Sequence, residues 1–270
     1  MPSDDQQPIP SVWTRPRGRR EQPALSREQI VAEAVRLLDA EGIDALSMRK
    51  LGTRLDAGAT SLYRHVANKD ELIELVVDEV YGELEEPDAE QSAHWREATT
   101  ARAHGVRAMI LQHPWIASLL GEVGVAYLGP NLMRLSDRMI ATFEEAGFPL
   151  DESDHAVRAL FAYVTGTAIS EAAWLTMLAR GGQTEQEWVE RLWPAAERAA
   201  QAYPRLQKGY ADQRGRDPRT SRDTNFLYGL ERFLDGLEAR LGRTGDSTGQ
   251  GANQTSTPTG ADGSPPSPRP

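Results

Sequence analysis

Residues 25–84 read LSREQIVAEAVRLLDAEGIDALSMRKLGTRLDAGATSLYRHVANKDELIELVVDEVYGEL, and this stretch decides the fold. Ser26 with Gln29 has the form of a capping box, in which each side chain satisfies a free backbone N–H at a helix start. Ile30, Val31, Ala34, Leu37 and Leu38 then recur on one helical face. Gly42 supplies the left-handed residue that ends this helix. Ser47 is the next N-cap, with an apolar face continuing at Leu51 and Leu55. Asp56-Ala57-Gly58 makes a tight turn, and Ala59 to His65 a third, very short helix. Asn68 with Glu71 forms a second capping box, opening a helix that carries Leu72, Ile73, Leu75, Val76, Val80 and Leu84.

Two short helices joined by a Gly-containing turn and packed on a longer first helix form a helix-turn-helix. Generic three-helix packing gives the same apolar periodicity, so the polar residues must separate the two readings. In the third helix only Leu62 has core character. Thr60, Ser61, Tyr63, Arg64 and His65 are left facing outward, and this set hydrogen-bonds phosphates and base edges.

The run SMRKLGTRLDAGATSLYRHVANKDEL resembles the DNA-binding domain of the tetracycline-repressor (TetR) family of bacterial transcriptional regulators. The most specific part is Leu62-Tyr63-Arg64-His65-Val66 with Lys69 and Leu72. The resemblance covers 25–85 without a gap. It implies that Arg49, in the first turn of helix two, contacts a base or a phosphate. It implies a phosphate-contacting pair at Tyr63 and His65, and a backbone-phosphate contact at Lys69. Gly58, Ala59 and Thr60 stand where family members vary and help set the operator sequence. These residues are small here, so sequence reading leans on Arg49, Thr60, Ser61 and Arg64. Two alternatives stay open: His65 packed on helix one, and Lys50 and Arg54 as a plain solvated face.

Charge supports the division. The chain of 270 residues carries a net charge of −10. Residues 1–69 carry 11 Lys+Arg against 9 Asp+Glu, and the remainder 19 against 31. An acidic body behind a more basic reading head orients a protein on DNA. Much of the positive excess lies in Arg15, Arg17, Arg19 and Arg20, within a Pro-, Gln- and Arg-rich stretch (1–24) read as disordered. That stretch is either an arm for the minor groove or a solubilising tail. The chain has no cysteine, which excludes disulfides, cysteine metal sites and thiol catalysis and fits a reducing cytoplasm. No apolar signal-peptide region opens the sequence.

Glu83 to Ala93 is acidic, contains Pro87, and reads as the link from head to body. Helices follow at Trp95–Gln112, Asn131–Ala146 and Ser153–Arg180, then from Thr184 toward Pro204 with a kink at Pro194, and finally Arg222–Leu241. Lys208 to Thr220 reads as a loop, and 243–270 as a disordered tail. No strand rises above noise, so the fold class is all-α: a helix-turn-helix head (25–84) and a larger ligand-binding and dimerisation body (85–242). Between Ala159 and Ala179 the only charge is Glu171. A central Glu costs a membrane span about 2.5–3.5 kcal/mol, so this helix reads as buried at a subunit interface rather than in a membrane.

The resemblance implies that helices 153–180 and 222–241 pair with those of a second copy as a four-helix bundle. The alternative is that they complete one core. A two-fold dimer would read a palindromic operator. Candidates for an effector pocket are Trp95, His104, Met109, His113, Phe161, Thr165, Glu171 and Trp174. Polar residues inside apolar helices are the better pointers, and Glu171 is the sharpest, since a buried carboxylate needs a partner. Arg158, an arginine across the dimer, or a cationic ligand could supply it. His104, His113 and Glu171 lack zinc-site spacing, so no metal is expected. By the resemblance, Leu119 stands where tetracycline repressors carry the body histidine that binds their drug–magnesium chelate, which argues against that effector. Gly245-Asp246-Ser247-Thr248-Gly249 matches a nucleophile elbow but lacks the preceding strand. No cofactor motif is present. The expected function is a ligand-responsive repressor acting as a homodimer. Control by a protein partner and activation are the alternatives.

Overall fold

The computed structural model describes residues 25–85, 94–121 and 129–249, with side chains except at 121 and 243–249. The arginine-rich extension, most of the acidic link and residues 250–270 lie outside the described residues. Within them the chain is helical and contains no strand.

The head begins with α1 (Arg27–Glu41). Both halves of the Ser26–Gln29 capping box are made, and Ile30, Val31, Ala34, Val35, Leu37 and Leu38 are buried. Gly42, with φ of +78°, ends α1 and leads into a 3-10 turn over Ile43–Ala45 that the periodicity did not foretell. Helix α2 (Met48–Arg54) starts on Ser47, whose hydroxyl accepts the Lys50 N–H. Helix α3 is shorter than expected, Ala59–Leu62, with a turn carrying Tyr63, Arg64 and His65. The chain reverses at Asp56, whose φ is +49°. A Cβ on Gly52 would sit 2.7 Å from the Ala57 carbonyl, so α2 and the turn touch backbone to backbone. Leu51, Leu62, Val66, Leu72 and Val76 close the head core against α1. Each such side chain contributes about 1.5–3 kcal/mol when fully buried.

Helix α4 (Lys69–Gly82) carries the chain out of the head. Asn68 caps it by accepting the Glu71 N–H, but the Glu71 carboxylate reaches the Ala67 N–H rather than that of Asn68. The expected reciprocal box is therefore half formed. In the body, α5 (Trp95–Gln112), α6 (Ile116–Gly121) and α7 (Pro130–Glu145) pack with the 31-residue α8 (Leu150–Arg180). Phe143, Ile110, Ile116 and Leu160 are among its most enclosed side chains. Among the described residues no helix is long and apolar enough to cross a membrane.

Several boundaries differ from the sequence reading. Helix α8 begins at Leu150, three residues before Ser153. Helix α9 (Glu185–Ala199) runs through Pro194 as one helix but ends at Ala199, short of Pro204. The expected loop at 208–220 is mostly helix: α10 (Pro204–Gln213) and α11 (Pro218–Gly249) leave only a short turn. Pro204 stands in the first turn of α10, where its missing N–H costs nothing. Asp217 accepts the Thr220 N–H at 2.8 Å and starts α11 early. Helix α11 also runs past Leu241 to Gly249, so the Gly245–Gly249 run is a helix end and not a strand-to-helix elbow.

Candidate nucleic-acid interface and effector site

Helix α2 offers three cations, and the structure treats them differently. Lys50 pairs with Glu41, and Arg54 with Glu33 and Glu41, all across to α1. Burial would raise the Glu33 carboxyl, but hydrogen bonds from Arg54 and Arg36 outweigh it and hold the group below its ordinary value. Arg49 makes no such pair among the described residues and is exposed. Beside it, Thr60, Tyr63 and Arg64 are exposed on α3 and its turn, Tyr63 at 51%, and Lys69 is exposed at the start of α4. Ala59, Ser61 and His65 are half-buried.

Arg27 donates from Nε to the His65 carbonyl at 3.1 Å and ties the end of the recognition segment to the start of α1. Sequence reading passed over Arg27, because a side-chain bond to a backbone carbonyl 38 residues away leaves no local pattern. His65 is held by its carbonyl and is half-buried beside the start of α1.

In the body, Glu171 is the centre of a charge cluster. Arg107 grips it with Nε and Nη2, and Arg222 donates to it from Nε, each at 2.8 Å. Arg107 also reaches Asp223, and Arg222 reaches Glu185. The Glu171 side chain is 9% exposed. Burial alone would raise its carboxyl, but the two guanidinium groups lower it below the ordinary value. Of the three partners left open for Glu171, Arg158 is ruled out, since it pairs with Asp154 one turn away, and the arginines that hold the carboxylate belong to the same chain. Arg107 and Arg222 come from α5 and α11, at sequence distances that no pattern reports.

Beside this cluster α8, α9 and α11 frame an open groove of about 500 Å³, lined by Thr167, Ser170, Glu171, Trp174, Arg222 and Phe226 among others. Trp174 meets Trp188 edge-on at 4.3 Å and donates to Glu185. Arg107 lies 4.8 Å over the Phe226 ring. Of the eight sequence candidates, Glu171 and Trp174 line this groove. His104 touches Phe226 edge-on, and burial with the neighbouring Arg107 lowers its pKa. The others stand elsewhere. Trp95 packs on Phe143 and Phe148 in the core. Met109 is buried in the core, and Phe161 packs against it. Thr165 bonds back to the Phe161 carbonyl. His113 is clamped at the head–body junction. A second cleft, about 750 Å³, lies between the end of α1 and helices α6 and α8, with Asp39, Asp44, Trp115 and Met177 on its walls.

A helix-turn-helix head whose exposed Arg49 at the front of α2 pairs with no carboxylate among the described residues, set on a helical body with a charged groove, defines the class of DNA-binding regulators. Residues 30–76 match the family described as bacterial regulatory proteins, tetR family. Residues 86–241 match the tetracyclin repressor-like C-terminal domain. The chain belongs to the tetR family and is a DNA-binding transcriptional regulator. It is 40% identical to an HTH-type transcriptional regulator of Saccharopolyspora erythraea, over 61% of this chain and 69% of that one. It is 32% identical to the HTH-type transcriptional repressor DrrR1 of Streptomyces coeruleorubidus, over 83% of this chain and 82% of that one. Among solved structures it is similar to the TetR family protein ActR of Streptomyces coelicolor in complex with actinorhodin. There the TM-score is 0.65 at 32% identity, covering 81% of this chain and 99% of that one.

Proposed function

We propose that this regulator is a repressor that binds a palindromic operator as a homodimer in the cytoplasm and is released by a small molecule held in its body. The observation that carries the reading is the division of labour on α2, where Lys50 and Arg54 are spent on α1 and Arg49 is left for DNA. Thr60, Ser61 and Arg64 would share the base edges with it, and Tyr63, His65 and Lys69 the phosphates. Dimerisation would use α8 and α11, whose outward faces carry Gly166, Ser170, Met177, Leu227 and Tyr228. Recognition helices of such a dimer dock about one helical turn of DNA apart, ~34–36 Å.

The similarity to DrrR1 supports repression, and that to ActR with actinorhodin supports a small-molecule effector. The effector site is placed at the groove beside Glu171, with the aromatic faces of Trp174 and Phe226 to stack on a flat ligand. Helix α4 would carry the signal, because it belongs to the head at Leu72 and Val76 and to the body through Asp78. That carboxylate accepts the N–H groups of Asn131 and Leu132 at 2.9 and 3.2 Å, at the start of α7. An effector need only favour the DNA-incompetent arrangement by about 1–3 kcal/mol.

The experiment is a selection of genomic fragments with purified protein, followed by titration with aromatic ligands. Recovery of one palindrome, released by a ligand whose binding is lost in Trp174→Ala, supports the reading. A palindrome that no small molecule releases would favour control by a protein partner.

A further inference from the structure

His113 is buried, 3% exposed, yet both ring nitrogens face carboxylates. Nδ1 lies 2.7 Å from Asp39 at the end of α1, and Nε2 lies 2.9 Å from Glu83 just after α4. His113 itself closes α5, and its backbone N–H bonds to Met109. Trp115, two residues on, packs edge-on against the ring and donates Nε1–H to the same Asp39 oxygen at 2.7 Å. One body side chain therefore grips both helices on which the α2–α3 unit rides. Asp39 and Glu83 are the charged groups that act on it.

A carboxylate only accepts hydrogen bonds, so both contacts exist together only when both ring nitrogens carry protons. A neutral ring has one N–H and turns a lone pair toward the other carboxylate. The two ends are unequal. Asp39 is also held by Trp115, whereas Glu83 has a 41% exposed side chain and water to turn to.

We infer that His113 is the positioning residue that locks the end of α4 to the body in its imidazolium form, and that loss of its proton frees α4 and weakens operator binding. The inference rests on the reading that head position controls DNA affinity. Burial opposes the charge on His113, but the two carboxylates outweigh it and raise the pKa above the ordinary histidine value. The lock is thus complete below that ordinary value and is lost as pH rises through the raised one.

The test follows operator affinity of the full-length protein from about pH 6 to about pH 9, in wild type, His113→Gln and Glu83→Gln, across the range where histidine titrates. Affinity of the wild type should fall by roughly fivefold or more relative to both variants, the lower end of ordinary allosteric coupling. Glu83→Gln leaves the buried ring in place, so it serves if His113→Gln folds poorly. Parallel profiles in wild type and Glu83→Gln overturn the inference. A DNA-free readout separates its failure from that of the regulator reading. By NMR, the Glu83 side-chain carboxyl signal should move with the His113 ring titration; a carboxyl signal that ignores the ring also overturns it.

Discussion

Arg107 holds Glu171 through two parallel hydrogen bonds, Nε to one carboxylate oxygen and Nη2 to the other, both 2.8 Å long. They join α5 to α8, and Arg222 extends the link to α11. Paired planar groups of this kind are the strongest charge-assisted contacts in proteins. Breaking a buried pair from one side leaves the other charge uncompensated and costs about 3–5 kcal/mol. Glu171→Ala should lower stability by about 3 kcal/mol, toward the low end of that range, because Asp223 and Glu185 still face the two arginines. Urea unfolding of the variant checks this. A loss within error of zero would mean that the cluster contributes nothing to the fold.

The same carboxylate sets an acid limit. Its pKa is lower in the folded protein than in the unfolded chain, so its contribution is complete above the unfolded value. The contribution declines as pH falls through the folded value. Between wild type and Glu171→Gln, the stability difference should be constant near neutrality and shrink on acidification. A difference that grows on acidification would reverse the assigned shift.

Arg49→Ala should weaken operator binding by about 1–3 kcal/mol and relax specificity at one base position in each half-site. Arg54→Ala removes a partner of Glu33 and should act on stability instead, within about 1 kcal/mol for a pair at the surface. Anisotropy titrations on matched and mutated operators separate the two. Equal losses of affinity would place Arg54 on the DNA as well.

Gly52→Ala tests the geometry of the reading unit. The new methyl group would stand 2.7 Å from the Ala57 carbonyl and 3.1 Å from Leu62, so α2 and α3 must move apart. Overpacking of this kind costs about 1–3 kcal/mol. Operator affinity should fall further than stability alone explains, because the α2–α3 angle aims the contact residues. Retention of full affinity would show that this angle is not critical.

Asp78→Ala removes the side chain that caps the first turn of α7 from the neighbouring helix α4. Losing a cap costs about 0.5–2 kcal/mol. If α4 carries the signal, the variant should still bind operator but respond less to the effector. Unchanged release by the effector would move the coupling away from this contact.

Much of the head was legible because its signals are local. Ser26, Ser47 and Asn68 cap where their spacing implied, and Leu62 is buried while Thr60, Tyr63 and Arg64 stay exposed around it. The body was legible as helices but not as a site. Met, Trp and His at helical spacing look alike whether they face a core or a groove, which is why Trp95, Met109 and His113 read as pocket residues. Glu171 stood out because a lone charge in an apolar helix needs a partner. Its partners lie 64 and 51 residues away on other helices, and only the packing brings them together. The run from Lys208 to Thr220 read as a loop because its polar, Gly- and Arg-rich composition hid the end of one proline-started helix and the beginning of another.

The most direct measurement is footprinting of a selected genomic site by wild type and Arg49→Ala, with the mass of the complex in parallel. Wild type should protect two inverted half-sites with centres about one helical turn apart, ~34–36 Å, in a complex of two chains per site. Arg49→Ala should lose that protection at the same concentration. A single unpaired footprint made by one chain, or protection unchanged by the substitution, would contradict it.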